Sequence, residues 1–313
     1  MAFAIPMTTR FRGVTVREGL LWRGPAGWTE WSPFADYDDT AAAAWLRAAD
    51  ATAATVWPTP VRSSVPVNCT VPAVGPEDAR RIVTAGHGAR TAKVKVAEPG
   101  QSLDDDIARV AAVRAAMGGT ARIRVDANGG WTTTQARHAL IELTIFGLEY
   151  VEQPCRTVEE LAQVRSWELV PVAADESIRL AADPYRVASA GAADIAVLKV
   201  APLGGVAACL EVAERIGLPV VVSSAVDTSI GLAAGLALAA ALPELPYACG
   251  LGTRALLTAD VVAAADALVP REGKLVVRDR PEADPEVLGA VAADPVTARR
   301  WLDRLARVRA LDE

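Results

Sequence analysis

From about residue 65 onward, short β-forming runs alternate with longer stretches whose apolar positions recur every three to four residues. The runs are "VPVNCTVPAV", "TAKVKVA", "ARIRVDA", "LEYVEQP", "VPVAADE", "ADIAVLKV", "LPVVVSS" and "PYACG", and each reads as a buried strand. Several of the intervening helices open on a capping box, in which two side chains satisfy each other's backbone donors: Ser102 with Asp105, Thr132 with Gln135, and Thr157 with Glu160. Gly147 and Gly217 fall where helix ends want a left-handed residue. Eight strands alternating with helices over about 200 residues predict an α/β fold of the TIM-type (β/α) barrel class. A doubly wound open sheet is the alternative, but it would bring a Gly-rich phosphate turn after an early strand. The nearest candidate, "GHGAR" at 86–90, follows a helix instead.

The flanks have another texture. The first sixty residues hold five of the eight tryptophans, and "VTVREGLLWRGPAGWTEW" reads as strands broken by a Gly-Pro turn. "DDTAAAAWLRAADATAA" then reads as a helix entered through acidic residues and threonine. Residues 1–62 are therefore expected to form the first part of a small α+β cap, 63–268 the barrel, and 269–313 a closing segment that packs back on the cap.

Composition narrows the partners. The net charge is −6 and no basic run appears, which argues against a nucleic-acid or anionic-membrane partner. The most apolar segment, "IGLAAGLALAAAL" at 230–242, is shorter than the about 20 residues a membrane span needs. No signal-peptide pattern opens the chain, and Cys69, Cys155, Cys209 and Cys249 form no CxxC pair. A cytoplasmic protein with reduced thiols and no obligate protein partner is expected.

Polar residues at the strand ends change the picture further, because barrel chemistry sits at the C-terminal ends of the strands. Of 32 basic residues only four are lysines, and three of them, Lys93, Lys95 and Lys199, end strands. Lys274 reads as surface. Asp126, Glu152 and Asp175 end the three strands between, and from Lys95 through these acids to Lys199 the separations are 31, 26, 23 and 24 residues. One β/α unit per step brings all five into one cup. A strand alternates with period two, so Lys93 and Lys95 share a face, as do Arg124, Asp126 and Asn128, while Val94, Val96 and Val125 face the helices. Three convergent carboxylates would repel one another unless a cation joined them, and hard oxygen donors suit Mg²⁺, with Mn²⁺ as a substitute. Lysine, unlike arginine, can lose its proton in such a site and act as a base. Asn128 and Glu176 read as capping or supporting residues.

In "AKVKV", "RVDANGGW", "VEQP", "ADES" and "LKVAPLGG" the chain resembles the muconate-lactonizing-enzyme-like subgroup of the enolase superfamily, over about residues 30 to 252. The resemblance implies that Asp126, Glu152 and Asp175 hold Mg²⁺. It also implies that Lys95 is the base that becomes the acid, that Lys199 stays protonated opposite it, and that Lys93 tunes Lys95. "WSPFADYDD", "PVNCTVPAV", Arg124 and "SSAVDTSIGLAAGLALAAALP" look most like the subgroup's dehydrating members. Those aromatise a succinylated hydroxycyclohexadiene carboxylate in menaquinone biosynthesis, by syn loss of water through an enediolate. On that resemblance the chain is a lyase acting on a small dicarboxylate, with Arg124, Ser223, Ser224, Gly250 and Gly252 expected on the substrate.

Rival readings remain at this point. N-succinylamino acid racemases use the same lysines and metal. Dipeptide epimerases carry acids after strand eight, and "ACGLGTRALL" has none. Relatives with a His-Asp dyad need a histidine after strand seven, whereas His87 and His138 lie elsewhere. A non-catalytic barrel that binds a carboxylate is the reading from outside the enzymes.

Overall fold

Two tight turns organise the first thirty residues: Arg12-Gly13, both at positive φ, and Pro25-Ala26 closed by Gly27 at φ 132°. They fold β1 (Ala2–Phe11), β2 (Val14–Gly24) and β3 (Gly27–Trp31) into an antiparallel sheet. Helix α1 (Asp39–Ala54) follows, its first turn capped by Asp38, which accepts from the Ala41 amide at 2.7 Å. Its buried face, through Trp45 and Leu46, packs with Trp31, Phe34 and Tyr37 into a cap core of edge-on aromatic rings. The computed structural model describes residues 1–311.

The barrel begins with β4 (Ser64–Pro66) and β5 (Cys69–Val71), then α2 (Pro76–Thr84) and β6 (Thr91–Lys95). Next come α3 (Leu103–Met117), β7 (Arg122–Asp126), α4 (Thr133–Leu143) and β8 (Leu148–Glu152). After α5 (Val158–Arg165) and β9 (Val172–Ala174), two single turns, α6 (Glu176–Arg179) and α7 (Arg186–Ser189), lead to β10 (Ile195–Lys199). Helix α8 (Val206–Ile216), β11 (Val220–Ser223) and the apolar α9 (Ser229–Ala241) complete the repeat. The three expected capping boxes form at the starts of α3, α4 and α5, and Gly147 and Gly217 are left-handed C-caps.

Strands β5 to β11 form one parallel sheet in sequence order. Cys249 and Gly250 close the ring through single bridges, to Val67 on one side and Ser223 on the other. "PYACG" thus supplies a minimal eighth strand. Outward-facing Val71, Val94, Val125, Val151 and Leu198 bury against the helices, while Tyr150, Ala173, Ile195, Val197 and Val221 fill the interior. Residues 64–66 leave the parallel ladder, because β12 (Lys274–Val276) pairs with β4 antiparallel. The closing segment then runs through α10 (Pro285–Ala290) to α11 (Pro295–Arg309), which packs on α1 and β1. Among the described residues no helix is long and apolar enough to cross a membrane.

Candidate active site

Register decides which side chains meet. Lys93 pairs with Arg124, Lys95 with Asp126, Asp126 with Glu152, and Lys199 with Ser223. Equal pairing means equal facing, so the lysines and acids all enter the barrel mouth. Lys93 Nζ donates to Glu152 at 2.7 Å and lies 3.1 Å from Asp126. Lys95 Nζ donates to Asp126 at 2.7 Å, and Lys199 Nζ to Asp175 at 2.6 Å. Lys95 stands four strands from Lys199 in a ring of eight, so the two face each other across the mouth.

Burial and charge set the protonation tendencies of the cup. Burial alone would lower Lys93, but Asp126 and Glu152 overcome it and hold its pKa well above the ordinary value. Lys95 moves the other way: burial lowers it, and the Lys93 charge adds to that against the pull of Asp126. The two lysines are therefore unequal, with Lys95 the more easily deprotonated. Burial would raise Asp126, yet Lys93 and Lys95 hold it far below the carboxylate range. Asp175 is likewise held down, burial being overcome by Arg179 and Lys199. Glu152 is pushed up to about 7 by burial and by Asp126.

Further residues support the site through contacts between strands and with the cap. Gln153, left-handed at φ 40° just past Glu152, accepts from the Asp175 and Ser177 amides at 3.0 and 3.1 Å. It also donates to Ser177 Oγ and the Cys155 carbonyl, tying the ends of β8 and β9 together. Arg179 donates to Asp175 at 2.9 Å, to Glu176 at 2.5 Å and to the Tyr37 hydroxyl of the cap. The i,i+4 spacing of Asp175 and Arg179 was a readable signal; the Tyr37 contact, 142 residues away, was not. Asn128 accepts from Lys95 and donates to Glu176 at 3.1 Å. Phe11 of the cap hairpin places its ring 5.2 Å from Lys95 Nζ.

The expected substrate residues are placed less uniformly. Ser223 ends β11 beside Lys199. Ser224 Oγ bonds the Gly250 carbonyl and Thr253 Oγ1, each at 2.7 Å, and so serves the barrel seam. A Cβ on Gly252 would lie 2.6 Å from the Asn68 carbonyl oxygen, so close approach there is between strands. Arg124 lies one layer below Asp126 on β7. Its guanidinium turns to Glu149 at 2.5 Å and the Ala248 carbonyl at 2.7 Å, stacked on Tyr150 and Tyr247. Glu149 lies near the start of its strand, so Arg124 plugs the floor rather than reaching the mouth.

The three acids fit a metal site in chemistry, and each is at present paired with a lysine. Among the described residues no three of them are already closed around one point, since each is turned onto an ammonium. Their chemistry fits, however: three carboxylates from three adjacent strands are hard oxygen donors on a rigid frame.

Two family matches define the class. Residues 76–281 match the enolase C-terminal domain-like family and residues 2–53 the enolase N-terminal domain-like family, a barrel under an α+β cap. Enzymes of this superfamily use a divalent metal ion. An o-succinylbenzoate synthase of Thermobifida fusca is 60% identical over 309 residues, 99% of this chain and 95% of the relative. Another from Mycolicibacterium smegmatis is 54% identical over 309 residues, 98% of this chain and 94% of the relative. The chain belongs to the o-succinylbenzoate synthase family of the enolase superfamily. Among solved structures, the muconate lactonizing enzyme of Pseudomonas fluorescens superposes with a TM-score of 0.78 at 21% identity, covering 93% of this chain and 97% of that one. The L-Ala-D/L-Glu epimerase of Bacillus subtilis does so with a TM-score of 0.78 at 21% identity, covering 90% and 96%. These two share the fold.

Proposed function

We propose that this chain is a lyase that converts 2-succinyl-6-hydroxy-2,4-cyclohexadiene-1-carboxylate to o-succinylbenzoate in menaquinone biosynthesis, by syn elimination of water. The observation that carries the reading is the pair Lys95 and Lys199, facing across the mouth with Asp126, Glu152 and Asp175 on the strands between.

Asp126, Glu152 and Asp175 would hold Mg²⁺, or Mn²⁺ in its place, which when bound supplies positive charge beside the substrate carboxylate. The neutral form of Lys95 takes the proton from the carbon bearing that carboxylate. The electron pair left behind becomes the enediolate, and Lys199, kept protonated, stabilises its charge from the other face. As the C–O bond breaks, the same Lys95 returns its proton to the departing hydroxide, so one water leaves and the ring becomes aromatic. Lys93 keeps its proton, lowers the affinity of Lys95 for one, and helps seat the carboxylate. Asn128 holds Lys95 on the proton path, and Phe11 shields it from water. Ser223 and the backbone at Gly250 and Gly252 are the proposed partners of the succinyl tail. Four free thiols among the described residues support a reducing, cytoplasmic setting.

Loss of the diene absorbance of the substrate, dependent on added Mg²⁺ and abolished by EDTA, is the expected result. Racemisation of N-succinyl amino acids at much higher kcat/KM on the same preparation would assign the chain to that reaction instead. Neither activity would leave a carboxylate-binding barrel.

A further inference from the structure

Val226 has φ 63°, a left-handed conformation that a β-branched residue rarely adopts. It lies in the turn after β11, directly beyond Ser223 and Ser224. Something must hold it, and the cap does. Arg17 of β2, 2% exposed, donates Nε to the Val226 carbonyl at 3.0 Å. Its Nη2 donates to Ser32 Oγ at 2.8 Å and to the Ser32 carbonyl, and its guanidinium lies over the Phe34 ring, 4.7 Å from the centroid. Asp227 Oδ1 stands 3.9 Å away, while Asp227 Oδ2 accepts from the Ala225 amide and tightens the same turn. The side chains on either side are anchored separately: Ala225 in the cluster of Trp31 and Tyr37, Val226 in that of Phe3, Ile5 and Leu21. Ser223, three residues before Val226, pairs with Lys199 in the barrel register, so the shape of the turn fixes the chain end beside Lys199.

We propose that Arg17 is a positioning residue for the reaction: a buried cap guanidinium that holds the left-handed turn at Val226 and thereby sets the substrate wall beside Lys199. The link to catalysis rests on the dehydration reading; the link to the turn does not. Arginine is the residue for this task because its planar fork reaches the Val226 carbonyl and Ser32 at once, which a lysine cannot do.

Three measurements on wild type, Arg17→Met and Arg17→Lys test it. Amide exchange at Ala225 and Thr228 needs no substrate and must speed up in Arg17→Met; unchanged exchange overturns the clamp whatever the enzyme does. KM for the diene and Kd for o-succinylbenzoate should both rise by about 20-fold in Arg17→Met with kcat changed less than about three-fold, and by about three-fold in Arg17→Lys. A fall in kcat that merely follows the folded fraction, with KM unmoved, makes Arg17 structural only and overturns the proposal. If Arg17→Met does not fold, Arg17→Lys decides, and unchanged exchange, KM and Kd in that variant overturn the proposal. Faster exchange in a protein whose wild type neither dehydrates the diene nor binds the product refutes the functional reading while leaving the clamp.

Discussion

Lys93 and Lys95 sit two positions apart with the same charge and nearly the same partners, yet burial and neighbouring charge separate them. Lys93 touches two carboxylates, Glu152 and Asp126; Lys95 hydrogen-bonds one carboxylate and the neutral Asn128, and carries the repulsion of Lys93 as well. That asymmetry is why the proposed mechanism gives the moving proton to Lys95. Arginine at 95 keeps a cation beside Asp126 but cannot release a proton. Lys95→Arg is therefore expected to lower kcat by about 10²- to 10⁴-fold, with circular dichroism and Mg²⁺ affinity close to wild type. Turnover near the wild-type rate would mean that another group takes the proton. Asp126, Glu152 and Asp175 were readable one by one because strand-end position and β/α spacing are local properties. For Arg124 the inward facing was legible, but its contacts with Glu149 and Ala248 are long-range and no local pattern reveals them.

At the scale of elements, local chemistry and long-range contact divide the same way. The three capping boxes and two glycine caps were legible because their partners lie within a turn of each other. The break between β4 and β5 was not, since it follows from β12, which pairs with β4 from more than 200 residues further along the chain. The seam of the barrel is likewise a long-range product. Gly252 has ordinary backbone angles, φ −85° and ψ 13°, so its reason for being glycine is the Asn68 carbonyl oxygen 2.6 Å from where a Cβ would sit. Gly252→Ala should force the eighth strand off the first and destabilise the protein by about 1–3 kcal/mol, read as a lower urea midpoint. Gly119→Ala, with nothing within 4 Å of its added carbon, should stay within about 0.5 kcal/mol of wild type. Equal effects of the two would show that the seam tolerates separation.

The whole molecule depends on how cap and barrel meet. Glu30 of β3 accepts from the Thr228 amide at 3.1 Å, Thr228 Oγ1 at 2.5 Å and Ser32 Oγ at 2.6 Å. Burial and the nearby Asp227 push its carboxyl up to about 7 from an ordinary 4.5, against the pull of Arg17. The unfolded chain releases this proton near pH 4.5 and the folded chain near 7. Glu30 therefore makes the fold lose stability as pH rises across that window, by on the order of 3 kcal/mol. Glu30→Gln, whose amide can still serve Thr228 and Ser32, should gain on wild type in denaturant midpoint between pH 5 and 7; a constant difference would remove Glu30 as the source. The cap itself joins distant parts of the chain: Phe3 bridges Ala292, and α11 lies against α1. Residues 2–31 emerge early from the ribosome and their partners near 292–309 emerge late. At about 5–20 residues per second, the wait is on the order of 10–50 s. During that interval α1 can already cover one face of the cap sheet, while the face of Phe3, Ile5 and Leu21 waits for Val261, Leu288 and Val291 and is the surface the nascent protein offers to chaperones.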